Sequence, residues 1–247
     1  MKNLASVVKK FEKLLQDVID ELRTLPEGAL VKQNSSYYHK IGNKKIGITG
    51  NKEMLCKLCR KKFLLAFQNQ LKNNLFYLTR SPEKMDFTLP IELIKTFSST
   101  YQSLPLSNFY HPSVKGWLSA PVKKNLFKPE ECKYQSSKGI GLRSKSEVFI
   151  ADKLEAYGLL YKYDTLITLR NKTIAPDFNI INPFTGNMMM WEHYGATHIE
   201  KYAKNMDDKM DLYLRNGYIP FETIIYTFES DVRNPERLAY LIENIIF

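Results

Sequence analysis

The feature that most constrains this chain is a pair of acidic residues on two successive strand-like segments. The first segment, residues 173–181, carries Asp177, and the second, residues 188–194, carries Glu192. The turn-like residues 182–187 reverse the chain between them. Mg²⁺ prefers one or two carboxylates together with water and phosphate oxygens. The hairpin therefore predicts a small divalent-metal site, where an ion can activate a water and brace a phosphodiester.

Helix and strand patterns alternate on both sides of this hairpin. Ser144 and Glu147 have the spacing of a capping box, which predicts a helix that begins here and ends at Gly158. The other expected elements are a strand at 160–169, a helix at about 197–215, a strand at 223–228 and a closing helix at 235–245. The order of helix, three strands, helix and strand predicts a mixed α/β domain over residues 142–247.

The front half of the chain predicts an α+β region with less regular patterning. Apolar spacing favours a helix at 4–25, short strands follow at 29–48, and Asn51 suits the N-cap of a helix that reaches about residue 75. Residues 76–141 contain several prolines and predict an irregular basic connection, with one helix near 90–101. We therefore expect three segments: a helix–hairpin–helix-like region at 1–75, a connection at 76–141 and the α/β domain.

The net charge of +10 is unevenly distributed along the chain. Residues 1–75 carry 15 Lys and Arg against 6 Asp and Glu, whereas residues 144–247 carry 11 against 15. A basic front half beside an acidic back half suggests a surface for a polyanion joined to a metal site, although solvated lysines that serve only solubility are the alternative. The residues expected to contact nucleic acid are Lys40, Lys44, Lys45, Lys57, Lys61, Arg143 and Lys145.

The cysteines and the hydropathy pattern limit the cellular setting. Cys56 and Cys59 form a CxxC inside a predicted helix, but the second pair of ligands for a zinc site is missing, so packing residues are the favoured interpretation. Three cysteines are too few for a disulfide framework and fit a reducing cytoplasm. No apolar run approaches the roughly 18 residues of a membrane span. We expect a cytoplasmic protein with no membrane partner.

Three acids in this order resemble the PD-(D/E)XK nuclease superfamily, which has the restriction-endonuclease-like fold. They are Glu147 on the first predicted helix, Asp177 after Pro176 on the second strand and Glu192 on the third. More narrowly, RSKSE at 143–147, PDF and WEHYG resemble the motifs of uncharacterised bacterial and phage proteins. Over residues 142–247 the resemblance implies an αβββαβ core and a nuclease acting on DNA, with all three acids binding Mg²⁺ or Mn²⁺.

The chain departs from the family at one position. The family has a lysine two residues after the glutamate, where this chain has Tyr194. His193 could replace that lysine as a general base or by orienting water, but side chains alternate along a strand, so it would need a bulge near Gly195. Alternatively, Lys209 could reach the acids from a helix packed on the sheet.

Several alternatives stay open at this point. Glu147 could serve only the capping box, His193 could be a structural histidine, and Lys209 could extend to solvent. The missing lysine also favours a nucleic-acid-binding module built on an inactive nuclease fold. Nothing selects DNA over RNA. Cutting both strands of a duplex with one site per chain favours a homodimer.

Overall fold

The computed structural model describes residues 2–170, 172–195 and 200–246. It divides into two compact units, Met1–His111 and Pro112–Phe247. Helices and strands are mixed in the chain, which confirms the predicted α/β class. The boundary falls inside the expected connection 76–141, so its first part is grouped with the front unit and its second part with the C-terminal unit.

The front unit combines two long helices with a small antiparallel sheet. Its elements in chain order are α1 (Lys2–Thr24), β1 (Ala29–Gln33), β2 (Ser36–Ile41), β3 (Lys44–Gly47), α2 (Lys52–Tyr77), α3 (Pro90–Lys95) and α4 (Ser99–Gln102), with 3₁₀ turns at Pro82–Lys84 and Leu106–Phe109. The Asn51 side chain accepts a hydrogen bond from the Met54 backbone N–H, which confirms the predicted N-cap. The single helix expected near 90–101 is two short ones, and at the end of the first the Thr96 hydroxyl donates to the Leu93 carbonyl.

A buried ion pair joins the two long helices of the front unit. Arg60 on α2 donates to both carboxylate oxygens of Glu21 on α1, at 2.8 and 2.7 Å. It also donates to the Phe109 carbonyl at 3.0 Å. The Arg60 side chain is 4% exposed, so its charge depends on these partners.

We expect Glu21→Gln to lower the free energy of unfolding by about 3 kcal/mol, because it leaves the buried Arg60 charge without a counterion. Urea unfolding followed by circular dichroism measures this loss. The matched control is Asp20→Asn, which removes an exposed pair with Arg23 on the same helix and should cost at most about 1 kcal/mol. Equal losses in the two variants would contradict the prediction.

The C-terminal unit is built around a four-stranded mixed sheet. Its elements are α5 (Ser113–Ser119), a 3₁₀ turn (Pro129–Glu131), β4 (Tyr134–Gln135), β5 (Gly141–Leu142), α6 (Lys145–Ala156), β6 (Leu160–Tyr163), β7 (Ile167–Leu169), β8 (Lys172–Ile174), β9 (Phe178–Ile181), β10 (Met188–Tyr194), α7 (Glu200–Arg215), β11 (Ile224–Phe228), α8 (Glu229–Val232) and α9 (Pro235–Ile246). The strand order is β11-β10-β9-β6, with β10 parallel to β11 and the other pairs antiparallel. In the main sheet the predicted order of helix, three strands, helix and strand is present, and β7 and β8 are inserted between its first two strands.

Two of the predicted strands are interrupted near the acids. The strand expected at 160–169 ends at Tyr163, and Asp164 follows with a φ of 48°. The strand expected at 173–181 is broken at residues 175–177, where Pro176 has no N–H to donate to a ladder. β7 and β8 pair with each other as a separate two-stranded sheet.

Each face of the main sheet buries apolar side chains. One face meets α7 through a cluster that contains Met190 and Tyr194 from β10, Tyr226 from β11 and Tyr213 from α7. The opposite face carries Phe178 and Trp191, which are fully buried, and α6 packs against β6 and α9. Within the described ranges, no helix has the length and apolar character that crossing a bilayer requires.

Candidate active site

The two acids of the hairpin lie beside each other. β9 and β10 are antiparallel, with Phe178 opposite Trp191. Asp177 directly precedes β9 and Glu192 directly follows Trp191 on β10, so the two acids lie next to the last residue pair of this register. Asp177 Oδ2 accepts a hydrogen bond from the His193 backbone N–H at 2.6 Å, which fixes this carboxylate against β10.

Glu192 is buried and held by two side chains from α7. It is 1% exposed. The Lys209 ammonium lies 2.7 Å from its carboxylate, and the Tyr213 hydroxyl donates to Oε1. Lys209 also donates to the Ala175 carbonyl at 3.1 Å. The Lys209 side chain therefore extends to the acids and not to bulk solvent.

The electrostatics of the pair favour an additional positive charge. Burial raises the pKa of Asp177 well above its usual range, and Glu192 and Glu147 raise it further, whereas Lys209 lowers it. Burial also raises the pKa of Glu192, against the lowering effect of Lys209 and of the Tyr213 hydrogen bond. One ammonium does not balance these carboxylates, so a bound cation would relieve their repulsion.

Glu147 has the capping role that its spacing predicted. Ser144 and Glu147 form a reciprocal capping box at the start of α6. Glu147 Oε2 accepts hydrogen bonds from the backbone N–H groups of Arg143 and Ser144 at 2.9 and 3.1 Å and from the Tyr163 hydroxyl at 2.7 Å. The carboxylate is thereby oriented at the edge of the sheet, close enough to raise the pKa of Asp177.

The imidazole of His193 does not join the acids, which corrects its assignment as a catalytic side chain. β10 pairs with β11 in continuous register from Met190 to Tyr194, so the bulge that His193 required is not formed. Its Nδ1 lies 3.2 Å from Thr227 Oγ1 and its Nε2 lies 3.3 Å from Glu229 Oε1. Only its backbone N–H reaches Asp177.

Tyr194, at the position of the family's lysine, is part of the apolar packing under α7. It is buried, and its ring lies against Tyr226, Phe228 and Tyr202 at centroid distances of 6.0, 6.1 and 6.4 Å. Its hydroxyl has no hydrogen-bond partner within the described residues. The cation near the acids is Lys209 instead.

Two residues of the site were missed by sequence reasoning. Tyr213 lies four residues after Lys209 on the same helix face, and this spacing was the available signal that both could reach one acid. Asp164 is buried, pairs with Arg143 and accepts a hydrogen bond from the Asn125 amide at 3.0 Å. No local pattern marked Asp164, because its partners are distant in sequence.

The basic residues predicted to contact nucleic acid divide into two groups. Lys61 donates to the Pro26 carbonyl at 2.8 Å, Arg143 is paired with Asp164, and Lys57 forms an i,i+4 ion pair with a glutamate at 2.6 Å. Lys61 and Arg143 are thus committed to internal contacts. The other five predicted residues have exposed side chains: Lys40, Lys44, Lys45, Lys57 and Lys145.

The donor set fits a metal that needs few protein ligands. In residues 2–170, 172–195 and 200–246, no group of three or more His, Cys, Asp and Glu side chains is arranged to hold an ion. Mg²⁺ is commonly bound through one or two carboxylates plus substrate phosphate and water, and Asp177 and Glu192 can provide the carboxylates.

The CxxC of the front unit does not have the character of a zinc site. Cys59 is fully buried, and burial raises the pKa of its thiol to about 12, which disfavours the thiolate that zinc requires.

Comparisons with known proteins add little to this picture. No family model matches the chain, and no solved structure matches it. An uncharacterised protein of Methanocaldococcus jannaschii is 31% identical over 81 residues, a stretch that covers 32% of this chain and 7% of that protein. The similarity to PD-(D/E)XK nucleases stays a prediction from the motif residues.

We expect Asp177→Asn to raise the Tm at neutral pH in EDTA. The pKa of Asp177 is raised in the folded state, so the folded protein loses stability as the pH rises above the value of about 3.9 for an unperturbed Asp. Asparagine carries no charge and keeps an acceptor for the His193 N–H. The difference in Tm between variant and wild type should shrink as the pH is lowered towards about 4. A variant that is less stable at neutral pH would contradict this account.

Proposed function

We propose that the C-terminal unit is a nuclease of the PD-(D/E)XK class that hydrolyses phosphodiester bonds of DNA with Mg²⁺ or Mn²⁺. One observation carries the proposal: Asp177 is hydrogen-bonded to the backbone of the residue that follows Glu192, and Lys209 contacts Glu192. Two acids and a lysine are the side chains of the family motif. Here the lysine comes from α7 and not from β10.

Asp177 and Glu192 are the residues that would hold the ion, with Glu147 as the neighbouring acid. When bound, the ion supplies Lewis-acid polarisation of the phosphodiester and lowers the pKa of a water. The protein supplies the orientation of these groups. Glu147 is fixed by the start of α6, and Asp177 is fixed by the backbone N–H of His193.

Lys209 and Tyr213 have separate roles in this scheme. Lys209 provides a positive charge beside the acids, where negative charge develops on the phosphate oxygens. Tyr213 donates to Glu192 and holds that carboxylate in one orientation. The exposed lysines of the basic front unit support contact with the phosphate backbone, with an affinity that falls as salt rises.

We expect Glu192→Gln to lower metal-dependent cleavage by at least about 100-fold, the scale of loss when one preorganised catalytic group is removed. The assay follows cutting of supercoiled plasmid and of single-stranded DNA in Mg²⁺, Mn²⁺ or EDTA. Asp208→Asn, which changes an exposed acid on α7, is the matched control and should cut like wild type. Equal turnover by Glu192→Gln and wild type would overturn the assignment.

We expect Lys209→Ala to lower kcat by about 100-fold as well, whereas Lys204→Ala, an exposed lysine on the same helix, should have no effect. Removing the ammonium also takes away the group that lowers the pKa of Glu192. The acidic limb of the pH–rate profile should therefore move to higher pH in Lys209→Ala. An unchanged profile and rate would exclude Lys209 from the site.

A second candidate function is a nucleic-acid-binding module without catalysis. The favouring observation is that Tyr194 occupies the lysine position and that Lys209 and Tyr213 already satisfy the Glu192 carboxylate. This candidate predicts salt-sensitive binding with no cleavage of DNA or RNA in either metal. Cleavage lost in Glu192→Gln excludes it.

A further inference from the structure

Residues 121–128 of the C-terminal unit form a loop that exposes two adjacent apolar side chains. Leu126 is 80% exposed and Phe127 is 68% exposed. We call residues 121–128 the apolar loop. Single exposed apolar residues are common on protein surfaces. Here the two are adjacent and flanked by charge, which favours a contact surface.

The backbone of the apolar loop is held in place. The Asn125 backbone N–H donates to the Asp164 carbonyl at 3.0 Å. The Asn125 side-chain amide donates to the Asp164 carboxylate, also at 3.0 Å. The Phe127 N–H donates to Asn125 Oδ1 at 3.0 Å, and Arg143 donates to the Phe127 carbonyl at 2.8 Å. The two apolar side chains are thus presented by an ordered backbone.

These anchors place the apolar loop next to the candidate active site. Asp164 directly follows β6, and its backbone N–H donates to the Asp177 carbonyl at 2.9 Å. Its carboxylate lies near enough to raise the pKa of Glu192. At the other end of the loop, the Leu166 N–H donates to the Lys123 carbonyl at 2.8 Å. One residue therefore connects the loop to both acids.

The charge around the apolar pair is positive on its N-terminal side. Lys123 and Lys124 are exposed directly before Asn125, and Lys128 follows Phe127. The Lys128 ammonium lies 5.6 Å from the Phe127 ring centre and pairs with Glu131 at 2.6 Å. The apolar side chains suit contact with the base faces of a nucleic-acid strand, and the lysines on either side suit contact with its phosphates.

We propose that Leu126 and Phe127 stack against an unpaired base of single-stranded DNA beside the scissile phosphodiester, while Lys123 and Lys124 contact flanking phosphates. The proposal rests on the proposed nuclease function and names the form of its substrate. Every base has a π face, so stacking on Phe127 requires no sequence preference. The ordered backbone lowers the entropy lost when the strand binds.

The test measures the affinity of the full chain for a short single-stranded DNA containing 2-aminopurine, in EDTA, across a salt series. Phe127→Ala should weaken binding by about 5- to 150-fold without changing the salt dependence, because stacking releases no counterions. Lys124→Ala should instead reduce the slope of log affinity against log salt by about 0.7, the value for one phosphate contact of a single strand. Phe127→Trp should retain affinity and quench 2-aminopurine at least as strongly as wild type.

Two controls separate stacking from a general surface effect. Tyr240→Ala removes an aromatic side chain of similar exposure, 65%, on α9, and should leave the affinity unchanged. The Tm of Phe127→Ala should equal that of wild type, because the ring is exposed.

Three results would overturn the stacking proposal. Equal affinity of Phe127→Ala and wild type, with Lys124→Ala weakened, removes the stacking role and leaves the nuclease function standing. If the wild-type protein does not bind single-stranded DNA, the stacking role is also removed. The plasmid cleavage assay then shows whether the nuclease function fails as well. If Phe127→Ala loses self-association in sedimentation velocity but keeps its DNA affinity, the apolar loop is a contact between copies of the chain.

Discussion

The buried carboxylate of Glu192 is the constraint on which the C-terminal unit depends. A charged group that is 1% exposed is costly unless it is paired and hydrogen-bonded. Lys209 and Tyr213 meet this need, and both come from α7. The helix is therefore held to the central strand β10 by polar contacts as well as by the apolar cluster. The same contacts assemble the acids and the cation of the candidate site.

Asp164 connects the sheet, the acids and the apolar loop. Asp164 follows the end of β6 with a positive φ, and its backbone N–H still donates to the Asp177 carbonyl just before β9. The Asp177 side chain accepts the N–H of His193, while the Asp164 side chain binds Arg143 and Asn125.

Several features could be predicted because they depend on local chemistry. The capping box of Ser144 and Glu147 is formed, and β10 has the predicted bounds of 188–194. Side chains alternate between the two faces along β10, so the imidazole of His193 points to the face opposite Glu192. His193 could have joined the acids only through a bulge, and the strand does not bulge. The break after Tyr163 could not be predicted, since Asp164 is stabilised there by residues distant in sequence.

The sequence by itself determined the order of helices and strands, the acid-bearing hairpin and the capped start of α6. These follow from periodicity, turn residues and cap spacing, which act over a few residues. Only the tertiary structure decided that Lys209, not His193, meets Glu192, and that Asp164 holds the apolar loop beside the acids. Such contacts join elements that are separated along the chain, and burial of their charges selects the partners.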